Sequence, residues 1–167
     1  SGIELFTNKF KSYFSPADEK LEILKGTDLY WGYNEKNYYP DWGQKGAIWS
    51  SCMRYEHKNL FMELYAESKS CSLLVLLRDK LVTGRALLWK STDDELLMDR
   101  IYTIRDADEH KFKKWAKDNQ YYHKKHQSYD DDRFVNPENG DVSNARYTID
   151  VAKEMSAFPY CDSFFNY

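Results

Sequence analysis

The stretch LLVLLRDKLVTGRALLWKSTDDELLMDRIYT, residues 73–103, decides the fold class. It reads as three strands of an antiparallel meander. Residues 73–77 form the first, with Cys71 and Ser72 leading in, and Asp79-Lys80 makes a short turn. Residues 81–90 form the second, 91–94 turn again, and 95–103 form the third. Centring the second turn between Thr92 and Asp93 sets Trp89 opposite Leu96, Leu87 opposite Met98, Arg85 opposite Arg100 and Thr83 opposite Tyr102. Period-two alternation then puts all eight on one face, apolar except at Thr83 and the two arginines.

Like charges directly opposite each other destabilise a strand pair, and a guanidinium buried without a partner is costly. Something negative is therefore expected beside Arg85 and Arg100. Internal carboxylates could supply it, with Glu63, Glu67 and Asp162 as candidates. An anionic ligand could supply it instead, because guanidinium forks match the oxygens of phosphates, nucleotides and carboxylates. A slipped register would separate the arginines and remove the question. Arg54 joins the cluster if residues 50–54 abut the sheet as a helix start, whose free N–H groups suit an anion. Tyr102, Trp89 and an aromatic loop would wall the site.

Outward from the meander, Ser15, Pro16 and Asp18 read as a helix start, with Leu21, Ile23 and Leu24 following and Gly26 closing. Residues 27–49 carry Tyr30, Trp31, Tyr33, Tyr38, Tyr39, Trp42 and Trp49 between Gly32, Pro40, Gly43 and Gly46, which reads as an ordered aromatic loop. A helix is expected near residues 57–68, with Leu60, Phe61, Leu64 and Tyr65 as its apolar face. After the meander, Asp106 and Glu109 form a capping box for a helix that carries Phe112 and Trp115 and ends near Asn119. Residues 120–127 read as a strand, 128–144 as a polar mobile loop, 147–152 as a last strand and 157–167 as an aromatic tail.

Composition bounds the function. The 167 residues suit one domain, 1–167, with a core of its own. Net charge is −3, so no overall basic excess points to nucleic acid. No apolar run is long enough to span a membrane. The three cysteines, Cys52, Cys71 and Cys161, are too few and too scattered for a disulfide framework. Cys52 at a helix start could serve as a nucleophile, with His57, His110, His123 or His126 as base, or could simply be buried. His123-x-x-His126 alone does not make a metal site, so no metal is expected. No glycine-rich phosphate loop or Gly-x-Ser-x-Gly occurs, and no cofactor is read. Lys113, Lys114, Lys124 and Lys125, interleaved with Phe112, Trp115, Tyr121 and Tyr122, could hold single-stranded nucleic acid; the same lysines could be the solvated side of a helix.

Two resemblances bear on these residues. The order hairpin, strand, helix, strand over residues 73–127 resembles the centre of the acetyl-coenzyme A-dependent N-acetyltransferases. That implies a degenerate acetyltransferase-like fold. In that family a glycine-rich pyrophosphate loop follows the third strand; here Ile104-Arg105-Asp106-Ala107-Asp108-Glu109 has no glycine, and its three acids would repel coenzyme A. Separately, Ser50-Ser51-Cys52-Met53-Arg54, Gly84-Arg85-Ala86-Leu87-Leu88-Trp89, Met98-Asp99-Arg100-Ile101-Tyr102-Thr103 and Phe158-Pro159-Tyr160-Cys161-Asp162 are similar to blocks of uncharacterised bacteriophage-encoded proteins. That implies action in the cytoplasm of a bacterial host, with a host protein as a possible partner, and no particular activity.

The reading is an α+β domain with a mostly antiparallel central sheet and flanking helices. It is expected to bind an anionic ligand, nucleotide or nucleic-acid phosphate, at Arg54, Arg85 and Arg100. Two alternatives stand beside it: a transferase or hydrolase using Cys52 in the same pocket, and a phage structural or host-interaction protein whose arginines form only a core network.

Overall fold

A computed structural model describes residues 18–54, 59–128, 131–144 and 147–150, without the side chains of residues 52 and 59–61. At its centre is a seven-stranded sheet: β1 Glu19–Leu24, β2 Cys71–Arg78, β3 Leu81–Lys90, β4 Leu96–Thr103, β5 Tyr122–Lys124, β6 Arg133–Val135 and β7 Val142–Asn144. The strands lie in the sheet in chain order, antiparallel except that β5 runs parallel to β4. Helices α1 Asp28–Tyr33 and α2 Asn59–Glu67 cover one face, and α3 Glu109–Asp118 covers the other. The chain is therefore α+β with a mostly antiparallel sheet.

Cover on both faces explains why β2 is an almost unbroken apolar run. Leu73, Val75 and Leu77 belong to the core beneath α1 and α2, whereas Leu74 and Leu76 belong to the core beneath α3. Close helix contact depends on missing side chains: a Cβ at Gly84 would stand 2.8 Å from the Phe112 ring of α3.

The meander forms as read, but its register differs. Arg85 faces Tyr102, not Arg100, and Gly84 faces Thr103. Two local features cause the shift. The β3–β4 turn spans five residues closed by Ser91 N donating to Glu95 O (2.9 Å), with Asp94 at φ 63°, so Lys90 faces Leu96. A bulge then sets Leu87 against both Asp99 and Arg100.

Residues 19–24 form a strand, not the helix expected from Ser15, Pro16 and Gly26. Leu21 pairs with Leu76 and Ile23 with Leu74, giving the exposed edge of β2 a neighbour. Glu19 lies opposite Arg78 and accepts from its Nε at 2.8 Å and from Lys111 Nζ at 2.8 Å. Burial alone would push the Glu19 carboxyl up, but the bonds from Lys111 and Arg78 hold it below the usual range. Its folded pKa is then lower than its unfolded one, so this stabilisation is present above the ordinary Glu range and lost as pH falls through the folded value. Glu19→Gln should therefore lower the melting temperature near pH 7, with the gap to wild type narrowing below about pH 4. Parallel melting curves at every pH would contradict this.

Other expectations are also corrected. Within the aromatic segment 27–49 the chain forms α1 and two short 3-10 turns. The capping box at Asp106 does not form: residues 106–108 make a 3-10 turn, and α3 starts at Glu109 without a side-chain cap. The polar segment 128–144 contains the β6–β7 hairpin, whose turn is closed by Asn136 N to Asp141 O (2.8 Å) and Gly140 N to Asn136 O (2.9 Å). Residues 147–150 are not a strand; Tyr147 packs edge-on against Phe134 and Thr148 O accepts from Thr92 N. The expected tail 157–167 lies outside the described residues.

Candidate functional site

Arg85 is completely buried on the α1/α2 face of β3. Its Nη2 donates to Ser51 Oγ at 2.9 Å and its Nη1 to the Tyr38 hydroxyl. That hydroxyl in turn donates to the Tyr33 carbonyl at 3.0 Å. Three rings enclose the guanidinium carbon: Tyr33 at 4.2 Å, Tyr38 at 5.5 Å and Tyr102 at 5.5 Å. These acceptors and rings come from α1, the loop after it, the 47–54 segment and β4, so the arginine knits four parts of the chain together.

The stack continues in both directions. Tyr102 also carries Arg100, whose guanidinium carbon is 4.8 Å from the ring centre. On the other side Tyr38 meets Trp49 edge-on at 5.2 Å, and Arg54 lies over Trp49 at 5.7 Å while bonding Glu35. Arg54, Trp49, Tyr38, Arg85, Tyr102 and Arg100 thus form one continuous series of cations and rings. Arg85 and Arg100 do not face each other as first read; the slipped-register alternative holds, and the two guanidiniums each lie against the ring of Tyr102. Asp99, at the β4 bulge, accepts from Trp89 Nε1 at 3.3 Å and from Arg100 N at 2.6 Å.

Arg100 differs from its neighbours in the series. It is half-buried, and among the described residues its side chain donates no hydrogen bond and forms no ion pair; its Nε, like those of Arg54 and Arg85, is shielded from solvent without a partner. Close by, Lys124 is buried, with its Nζ donating to the Ser128 carbonyl at 2.8 Å. Burial pushes the Lys124 ammonium pKa down, Asp99 and Asp132 oppose that, and Arg100 adds to it. Beyond Met98 the parallel β4–β5 pairing ends, and Ile101 N is satisfied by Gln127 Oε1 at 2.6 Å. The result is a polar seam with two cations, Arg100 and Lys124, next to the arginine–tyrosine stack.

The other expected residues fall elsewhere. Trp89 is a core residue, edge-on to Tyr65 at 5.8 Å, and meets the site through its Nε1 bond to Asp99. The backbone of Cys52 lies in the 3-10 turn Cys52–Arg54, but its side chain, His57, Cys161 and Asp162 lie outside the described residues. Lys113 pairs with Glu109 (3.6 Å) and Lys114 with Asp118 (2.7 Å) along α3, whereas Lys124 is interior and Lys125 exposed. The four lysines are therefore not one surface. Among the described residues no group of acids, histidines and cysteines is placed to hold a metal ion. No helix of the described residues is long and apolar enough to cross a membrane.

Tyr33 and Tyr38 come from the aromatic segment 27–49 expected to wall the site, whereas Ser51, Asp99 and Gln127 have no assigned role in the sequence reading. Asp99-Arg100 carried a usable signal: two adjacent charges in an apolar strand mark a position where alternation breaks. No family model matches the chain, and neither a curated protein nor a solved structure is significantly similar to it.

Proposed function

We propose that the chain binds an anionic ligand, a nucleotide or another phosphate-bearing molecule, on the α1/α2 face of β4. The observation that supports this most is Arg100: a half-buried guanidinium that, among the described residues, donates no side-chain hydrogen bond and forms no ion pair. A charge so placed is stabilised by an anion that fits the guanidinium fork. Lys124 and the buried Arg85 add positive potential behind it, and the Tyr102 ring offers an apolar edge. Arg54, with its Glu35 partner exchangeable at the rim, could engage a second anionic group.

The order β2, β3, β4, α3, β5, with β5 parallel to β4, supports the acetyltransferase-like reading of the architecture. The acids Asp106, Asp108 and Glu109 at the start of α3 argue against coenzyme A as the ligand. The similarity to bacteriophage-encoded blocks supports a role inside a bacterial host cell.

The test is a thermal-shift series with pyrophosphate, ATP and GTP. A ligand at a hundred times its Kd stabilises a fold by about 2.7 kcal/mol. At about 2–4 °C per kcal/mol for a chain of this size, that is a shift of several degrees. Arg100→Gln should abolish the shift while its own melting stays close to wild type. An equal shift in Arg100→Gln, or none in wild type with any of the three, would refute the proposal.

A further inference from the structure

Three asparagines fold their side chains over the peptide that follows them. Asn34 Oδ1 accepts from Lys36 N at 3.0 Å, Asn136 Oδ1 from Glu138 N at 2.8 Å and Asn139 Oδ1 from Asp141 N at 2.9 Å. A bond of this kind, from the side-chain carbonyl to the second residue on, lays the carboxamide carbon against the intervening main-chain nitrogen. The turns differ in the residue that supplies that nitrogen: Glu35, Pro137 and Gly140. Proline has no N–H to ionise, and glutamate screens its nitrogen with a side chain. Glycine alone offers an N–H with no Cβ beside it.

We propose that Asn139 is a site of spontaneous deamidation, in which the Gly140 nitrogen displaces the side-chain ammonia. Hydroxide removes the Gly140 amide proton, and the nitrogen attacks Asn139 Cγ. An N–Cγ bond forms and the carbonyl electron pair moves onto Oδ1. As that pair returns, the Cγ–Nδ2 bond breaks, and the nitrogen leaves as ammonia after taking a proton from water. The product is a five-membered cyclic imide. Water then adds to one of its two carbonyls and opens it, leaving aspartate or isoaspartate at position 139. No oxidant or cofactor is consumed. The inference does not rest on the anion site.

The β6–β7 turn favours each part of this sequence. The folded-back carboxamide holds electrophile and nucleophile together before reaction. Asp141 N already points at Oδ1, where the negative charge develops, at a distance suited to an oxyanion donor. Residues 138–141 are all exposed, so hydroxide and water reach the imide and ammonia escapes. One bond opposes the reaction: Gly140 N donates to Asn136 O at 2.9 Å and must open before its proton is lost. The adjoining β7 is three exposed residues at the end of the sheet order, where local opening costs least. The product is not silent. It places a new carboxylate between Glu138 and Asp141, and an isoaspartyl linkage also lengthens the turn by one methylene.

The native full chain, incubated at neutral pH, digested in acid and mapped by tandem mass spectrometry, reads the outcome. A gain of one mass unit is expected at Asn139, with Asn34 and Asn136 unchanged. An isoaspartyl carboxyl methyltransferase should label the same peptide, and Asn139→Gln should abolish the label, because glutamine would have to close a six-membered ring. The rate should climb about tenfold per pH unit near neutrality, as the ionised fraction of a group far below its pKa does. No gain at Asn139 in the native chain, an equal gain at Asn34, a label that survives in Asn139→Gln, or a rate flat in pH would each overturn the proposal.

Discussion

Arg85→Ala is expected to cost the fold about 3–5 kcal/mol and to lower its melting temperature by on the order of 10 °C. The side chain is completely buried, so truncation leaves a cavity ringed by Tyr33, Tyr38 and Tyr102. It also strips a donor from Ser51 Oγ and from the Tyr38 hydroxyl. Buried acceptors that lose their donor keep their desolvation cost, which is why truncation is worse than the loss of one average hydrogen bond. Arg85→Met separates the two contributions. It retains most of the volume and contact with the rings but no donor, and replacing a buried charge by an apolar side chain of similar size is often tolerated. Urea denaturation should therefore place Arg85→Met between wild type and Arg85→Ala. If Arg85→Ala melts within about 2 °C of wild type, Arg85 does not knit the fold.

Gly46→Ala should be as damaging, by a backbone route. Gly46 has φ 60° and ψ −170°, a conformation essentially confined to glycine. A Cβ there would also fall inside the van der Waals radius of the Thr103 and Ile104 carbonyl oxygens. Both obstacles are main chain, so no side-chain rotation relieves them. Strain of about 1–3 kcal/mol adds to the clash, and the foot of the loop should lift from the end of β4. Ile48, completely buried, and Ser51, which holds Arg85, follow that foot in the chain. The predicted signature is faster proteolysis and amide exchange across residues 40–51, with β2 and β3 still protected. Unchanged protection of that loop would contradict the prediction.

Much of the fold was legible because the meander depends on nearest-neighbour chemistry. Leu, Val, Trp and Tyr runs broken by Asp79-Lys80 and by residues 91–94 can hardly read otherwise. The register was not legible, since it turned on Asp94 adopting a left-handed conformation and on one extra residue at Asp99-Arg100. Each feature shifts the pairing by a small step, and together they move Arg85 from Arg100 to Tyr102. The strand β1 was missed for a different reason. The local signals at Ser15, Pro16 and Gly26 favour a helix, but the open edge of β2 and the Arg78 guanidinium favour an extended neighbour with Glu19 in place. Tertiary demand outweighed local propensity. The β6–β7 hairpin did carry a signal, Asn139-Gly140 between short apolar stretches, hidden by the acidic residues around it. At the site, the arginines and the aromatic segment that holds Tyr33 and Tyr38 could be named from sequence, whereas Ser51 could not, because only folding brings that part of the 28–54 segment onto β3.

The sheet is laid down in chain order, so six successive pairings each join a strand to the next one along the polypeptide. A protein built this way can assemble progressively. Once β2 and β3 have closed across Asp79-Lys80, every later strand finds its docking edge already formed when it arrives. Only β1 must wait, its partner lying beyond the whole of residues 25–70. Closing that loop is the one long-range step, and it brings α1, Tyr38 and Ser51 onto Arg85. The order of events would then be a meander first, with its arginine still in water, and the burial of that arginine as the act that completes the fold.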